Sequence, residues 1–208
     1  MKFQHFFWDF DGTLFDTYHR ITRAILKALN DLDVQAEFDE VYAVAKRSIG
    51  ACYEPFVKPL GLPREAYSAA YRAHAEEEPV DTIRLYPGAR ETLEEICRLG
   101  GKNYIYTHRG ASTHQVIAYY GMEGLFTDYV TSEHGFPSKP APDALRYLMD
   151  KHGLKPEECI MIGDRRLDGE AGLNAGMSGA LIDLDRMVSE CTLPYRFEDF
   201  AALKKELL

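Results

Sequence analysis

From residue 87 onward the chain alternates short apolar segments with stretches of helical periodicity, and this alternation narrows the fold more than any other feature. A helix fits 88–99, with Ala89, Leu93, Ile96 and Cys97 on one face, and Gly100-Gly101 stops it. Residues 103–107 read as a strand, 112–120 as a helix and 128–131 as a strand. Pro142-Asp143 starts a helix that runs to Gly153, with Asp143 as its expected cap. Strand, helix and strand follow at 159–162, 168–176 and 179–182, and a last amphipathic helix carries Phe197, Phe200, Leu203 and Leu207. An earlier apolar, aromatic run, 3–10, reads as a strand buried on both faces. Strands that alternate with helices imply a parallel sheet covered on both sides.

Residues 18–82 break the rule. Tyr18, Ile21, Ile25, Leu29 and Leu32 form one stripe at helical spacing. Helical pattern returns at 39–48 and 64–78, interrupted by Pro55, Pro59, Gly61 and Pro63. Glu76-Glu77-Glu78-Pro79 reads as a solvated helix end. The expected organisation is therefore an α/β core domain of residues 1–17 and 83–208, with a helical module, 18–82, inserted after the first strand. The chain would cross between the two at 15–17 and 85–88.

Composition excludes several classes. Hydrophobic residues at 46% and charged residues at 27% are ordinary globular usage, not that of a disordered or fibrous chain. Lys plus Arg number 24 against 33 Asp plus Glu, a net charge of −9. Nucleic-acid affinity comes from Lys and Arg, so no nucleic-acid partner is expected. No apolar run approaches the ~18 residues of a membrane span, and no membrane partner is expected. Cys52, Cys97, Cys159 and Cys191 are widely spaced, without zinc or disulfide patterning, which suits a reducing cytoplasm.

Four short stretches carry chemistry. Asp9-Phe10-Asp11-Gly12-Thr13 puts two acids, two residues apart, where the first strand ends. Ligand sites in open α/β sheets lie at that end; the alternative is a simple Asp-Gly turn. Thr107 closes a second apolar strand ahead of His108-Arg109-Gly110. Ser138-Lys139-Pro140-Ala141-Pro142 holds a lysine between prolines, as a stiff support or as an ordinary solvated loop. Gly163-Asp164-Arg165-Arg166-Leu167-Asp168 ends another buried-type strand with two acids, suited to a hard cation or to capping the next helix.

In this order and spacing, the four resemble the motifs of the haloacid dehalogenase-like (HAD) hydrolase superfamily, over about residues 3–182. The resemblance implies a Rossmann-like parallel sheet with helices on both faces and an inserted α-helical cap. It implies Asp9 as a nucleophile that forms an aspartyl-phosphate, and Asp11 as general acid and base. Thr107 and Lys139 match the groups that grip the phosphoryl oxygens, with amides near Phe10, Asp11 and His108 assisting. Mg²⁺ would be held by Asp9, the Asp11 carbonyl and Asp164, with Asp168 holding a metal-bound water or Lys139.

The pattern looks most like phosphoglycolate phosphatase and its neighbours, which implies a small phosphorylated metabolite as substrate and a monomer or homodimer. A phosphomutase of the β-phosphoglucomutase type shares the motifs. A dehalogenase would lack the acid at the Asp11 position, and a non-catalytic binding protein would not need every motif acid. Two departures stand out: His108-Arg109 replaces the more usual Asn after Thr107, and Arg165-Arg166 replaces small polar residues. His108, Arg109, Arg165 and Arg166 are candidate contacts for substrate phosphate or carboxylate or, alternatively, partners of surface acids, the second reading being the stronger for Arg165 and Arg166. In the cap, Arg47, within Lys46-Arg47-Ser48-Ile49-Gly50, is the candidate substrate contact.

Overall fold

The protein is described by a computed structural model that covers residues 1–75, 79–186, 188 and 190–208. The Glu76-Glu77-Glu78 run lies outside the described residues. The strands are β1 (His5–Trp8), β2 (Phe15–Asp16), β3 (Arg84–Leu85), β4 (Lys102–Tyr106), β5 (Phe126–Val130), β6 (Cys159–Gly163), β7 (Ser178–Ile182) and β8 (Tyr195–Phe197). The α-helices are α1 (Tyr18–Asp31), α2 (Phe38–Ala45), α3 (Tyr53–Phe56), α4 (Arg64–His74), α5 (Ala89–Arg98), α6 (Ser112–Tyr119), α7 (Asp143–His152), α8 (Arg166–Asn174) and α9 (Phe200–Leu207). The chain forms two compact units, Met1–Phe15 with Leu85–Leu208, and Asp16–Arg84.

The first unit is a parallel sheet in the order β5-β4-β1-β6-β7-β8. Its strands read as short apolar runs because both faces are covered. Phe6, Phe7 and Trp8 of β1 are fully buried, and each contributes on the order of 1.5–3 kcal/mol by leaving water. Alternation along the strand sends Phe7 to the face it shares with Tyr104, Tyr106 and Met161, beneath Leu145, Leu148 and Met149 of α7 and Ala171 of α8. Trp8 faces the other way and packs toward Phe200 of α9, ring centroids 6.2 Å apart. On that side Trp8 Nε1 donates to the buried Asn103 Oδ1 at 3.0 Å, and Asn103 Nδ2 donates to Leu93 O of α5 at 3.2 Å. The lone amide in an apolar strand is thus satisfied on both ends, as burial demands.

The second unit contains α1–α4. The stripe expected from the sequence is its core: Tyr18, Ile21, Ile25 and Leu29 pack with Val41, Ala45, Cys52, Val57 and Tyr67, and Leu32 sits half-buried against them. Lys46 places its ammonium 4.0 Å from the Tyr18 ring centroid, while Arg47 is exposed in the turn after α2. Among the described residues no helix is long and apolar enough to cross a membrane, and the four cysteines are free.

Three local expectations need correction. The first strand spans four residues, His5–Trp8, not eight: Asp9 adds one further ladder bond, and the chain turns back from Phe10, where Gly12 takes φ 82°. Asp143 is the first residue of α7 rather than its cap; Pro142 holds the cap position and contributes no side-chain bond. β8 is an additional strand of three residues, too short to show a period of two.

α8 lies so close to the sheet that a Cβ on Gly179 would collide with the carbonyl of Gly169. Backbone faces backbone there, so neither can yield cheaply. Gly179→Ala should destabilise the protein by about 1–3 kcal/mol in denaturant melts; an unchanged midpoint would contradict this packing.

Candidate active site

The sheet order reverses at β1. β4 and β5 extend to one side of it, and β6, β7 and β8 to the other. Such a reversal opens a crevice at the carboxyl ends of the central strands. Asp9 follows β1, Thr107 follows β4 and Asp164 follows β6, so three sequence motifs arrive at the same edge. Asp9 N donates to Ile162 O at 2.9 Å, and Thr107 N to Val130 O at 2.9 Å. Both residues therefore extend the ladder one step and are held by the sheet rather than by a free loop.

Lys139 reaches this edge from the segment between β5 and α7. Its Nζ donates to Asp9 Oδ1 at 2.7 Å and to Asp168 Oδ1 at 2.8 Å, with the lysine side chain completely buried. The ammonium also lies 4.7 Å from the Tyr106 ring centroid. Burial alone would push its pKa down, but the charges of Asp168 and Asp9 and their hydrogen bonds outweigh that and raise it. Lys139 is thus a charged structural centre, not a solvated loop lysine.

The acids have different duties. Asp168 is fully buried and both its oxygens are engaged, Oδ1 by Lys139 and Oδ2 by Arg165 N at 3.0 Å. It caps α8 and holds the lysine together. Asp164 Oδ1 receives a long 3.4 Å contact from the Thr13 hydroxyl. Asp9 Oδ2 is buried and has no hydrogen-bond partner among the described residues. Carboxylate oxygens of Asp9, Asp164 and Asp168 all lie within 4.8 Å of one another. Three buried acids against one ammonium leave an excess of two negative charges, which suits a divalent, oxygen-seeking cation. An orphaned buried carboxylate oxygen beside a second acid is the donor set that such an ion would complete.

The remaining candidates divide. Asp11 is partly exposed and its Oδ1 accepts from Arg109 Nη1 at 3.0 Å. Thr107 is buried, and its hydroxyl accepts from Arg109 N at 3.1 Å. His108 Nε2 accepts from Lys139 N at 3.1 Å and so ties the loop after β4 to the lysine segment. Arg47 belongs to the helical unit, Asp16–Arg84. Arg166 pairs with Glu170 at 3.2 Å on the surface, as its sequence context suggests. Thr13, Tyr106 and Gly163 are additional members. Gly163 has a steric reason: a Cβ there would occupy the place of the Asp168 side chain. Thr13 stood within the first motif without a role of its own; Tyr106 carried no signal beyond its place in an apolar strand.

The comparisons with known proteins agree with this geometry. Residues 6–182 match the haloacid dehalogenase-like hydrolase family, and the chain belongs to it. It is 28% identical over 193 residues to a phosphoglycolate phosphatase of Aquifex aeolicus (strain VF5), covering 89% of this chain and 90% of that one. It is 28% identical over 178 residues to the pyrophosphatase PpaX of Bacillus mycoides (strain KBAB4), covering 85% and 81%. Among solved structures, a hydrolase from Streptococcus pneumoniae TIGR4 is 31% identical, with a TM-score of 0.63 over 86% of this chain and 92% of that one.

Two outcomes test the site's internal order. Gly163→Ala should displace Asp168 and loosen Lys139, with a loss of about 1–3 kcal/mol in stability by denaturant melts; retained stability would contradict the fit. Desolvation of the His108 ring, with the Lys139 charge nearby, lowers its pKa from 6.5 although part of the residue is exposed. The folded state therefore favours the neutral ring that accepts from Lys139 N. Its stabilising contribution is complete above pH of about 6.5 and declines as pH falls from there toward the lowered folded value. NMR titration of His108 should give a midpoint below that of a free imidazole; one at or above it would contradict the bond.

Proposed function

We propose that this protein is a Mg²⁺-dependent phosphatase that hydrolyses a small phosphomonoester through an aspartyl-phosphate on Asp9. The observation that carries the reading is the state of Asp9: buried, with Oδ1 fixed by Lys139 and Oδ2 unpartnered at the carboxyl end of the central strand. Carboxylates serve as nucleophiles in phosphoryl transfer. Asp9 attacks phosphorus, and Asp11 gives a proton to the departing alkoxide. Water then attacks the phosphorylated Asp9, and Asp11 takes its proton. Proton transfer of this kind typically contributes ~10²–10⁴-fold.

The Thr107 hydroxyl, the Lys139 ammonium and amides near Phe10, Asp11 and His108 hold the phosphoryl oxygens, since such transfers depend on positioning and charge stabilisation. Asp9, Asp164 and the Asp11 carbonyl would hold Mg²⁺, which when bound supplies charge neutralisation for the phosphoryl group. Asp168, with both oxygens taken, keeps Lys139 in place. The helical unit is read as a cap that selects the substrate, with Arg47 as its candidate contact. The relatives named phosphoglycolate phosphatase and pyrophosphatase favour a small anionic phosphate, phosphoglycolate-like among phosphomonoesters, with a sugar phosphate as the other candidate from the motif pattern.

Asp9→Asn should lower turnover of an aryl phosphate with Mg²⁺ by about 10³-fold or more while the fold persists; equal turnover would refute the nucleophile assignment. Chelation should abolish the activity of the unaltered protein and added Mg²⁺ restore it. Full activity in chelator would remove the metal from the scheme.

A further inference from the structure

Arg109 lies in the loop that follows Thr107, and the structure gives its guanidinium a definite partner. Nη1 lies 3.0 Å from Asp11 Oδ1, with the arginine side chain 12% and the aspartate side chain 23% exposed. This is no loose surface pair. The Arg109 backbone N–H donates to Thr107 Oγ1, and its carbonyl accepts from Ser132 N at 3.0 Å. The guanidinium also lies 5.5 Å from the Phe10 ring centroid. Arg109 Nε is buried without a hydrogen-bond partner among the described residues. Stacking and Asp11 therefore set the position of the head group. The Asp11 backbone is fixed by an isolated bridge to Phe15, with Gly12 N donating to Phe15 O at 2.8 Å, so what Arg109 sets is the direction of the Asp11 carboxylate rather than of its backbone.

We propose that Arg109 is a positioning residue for Asp11 in the hydrolytic half of the reaction, a role that rests on the phosphatase reading above. In that half a P–O bond forms to the oxygen of water, and the bond from phosphorus to the Asp9 carboxylate oxygen breaks. Its electron pair returns to Asp9, and the proton of the water passes to Asp11. An ion pair with a guanidinium requires the carboxylate form of Asp11, which is the form that accepts this proton. In the first half Asp11 acts as an acid, and a neutral acid holds a guanidinium only weakly. The contact observed therefore fits the base step and leaves the acid step largely unaided.

The test uses the full chain with Mg²⁺ and 4-nitrophenyl phosphate, followed by stopped flow. For Arg109→Gln, kcat/KM, which reports formation of the phosphoenzyme, should stay within about twofold, while kcat falls by about tenfold and KM falls with it. A burst of nitrophenol close to one per site should precede the slow steady state. Arg109→Lys keeps the charge but not the planar fork, so it should recover part of the lost kcat. If Arg109→Gln does not fold, Arg109→Lys carries the test, with the same split at smaller size. A parallel fall in kcat and kcat/KM overturns the proposal, as does a raised KM at constant kcat, which indicates direct contact with substrate. Unchanged constants overturn it too. Failure of the phosphatase reading itself looks different: the unaltered protein then releases no nitrophenol and carries no phosphoryl group.

Discussion

A completely buried lysine ammonium organises this protein's site. Lys139 is shared between Asp9 and Asp168, and its charge lies against the Tyr106 ring. Taking an ammonium out of water costs several kcal/mol unless its partners are well placed. Here the partners come from different parts of the chain: Asp9 from the end of β1, Asp168 from the first turn of α8, and Tyr106 from β4. The lysine therefore sets the relative position of segments far apart in sequence. Removing the charge of either acid would leave the ammonium with one carboxylate partner instead of two, at a cost in stability.

The same pairing explains why the acids are not equivalent. Lys139 and Arg165 N consume both oxygens of Asp168, and Asp9 keeps one free. Asp164, touched by Thr13, has a carboxylate oxygen within 4.8 Å of one from Asp9. The lysine neutralises one charge; the remaining negative charge, together with that of an arriving phosphoryl group, is what a divalent cation would balance. Position on the sheet decides this division. The reversal of strand order at β1 brings three strand ends together, and Gly163 lets α8 begin against the strand so that Asp168 can enter.

Much of this was legible in the residues. The parallel sheet followed from apolar runs alternating with helical stripes, and the stripe from Tyr18 to Leu29 marked the core of the inserted helices. Asp9, Lys139 and Asp164 stood out because each lies at a strand end or in a rigid loop, and Asp168 because it follows Asp164 by four residues. What the sequence did not reveal depends on distant contacts. Nothing near Arg109 predicts that it turns to Asp11, 98 positions earlier, instead of outward. Nor does His108 signal locally that its ring accepts the Lys139 amide. Short elements were also hidden: β8 has three residues, and the end of β1 was blurred because Asp9 and Phe10 continue its buried run beyond the paired strand.

The claim on which the rest turns is that Asp9 carries the phosphoryl group during turnover. Rapid acid quench of the protein turning over a phosphomonoester with Mg²⁺, followed by peptide mass spectrometry, reads this directly. The mass of one phosphoryl group should appear on the peptide containing Asp9 and vanish as substrate is exhausted. Turnover with no such adduct, or with the phosphoryl group on another residue, would contradict the assignment of Asp9.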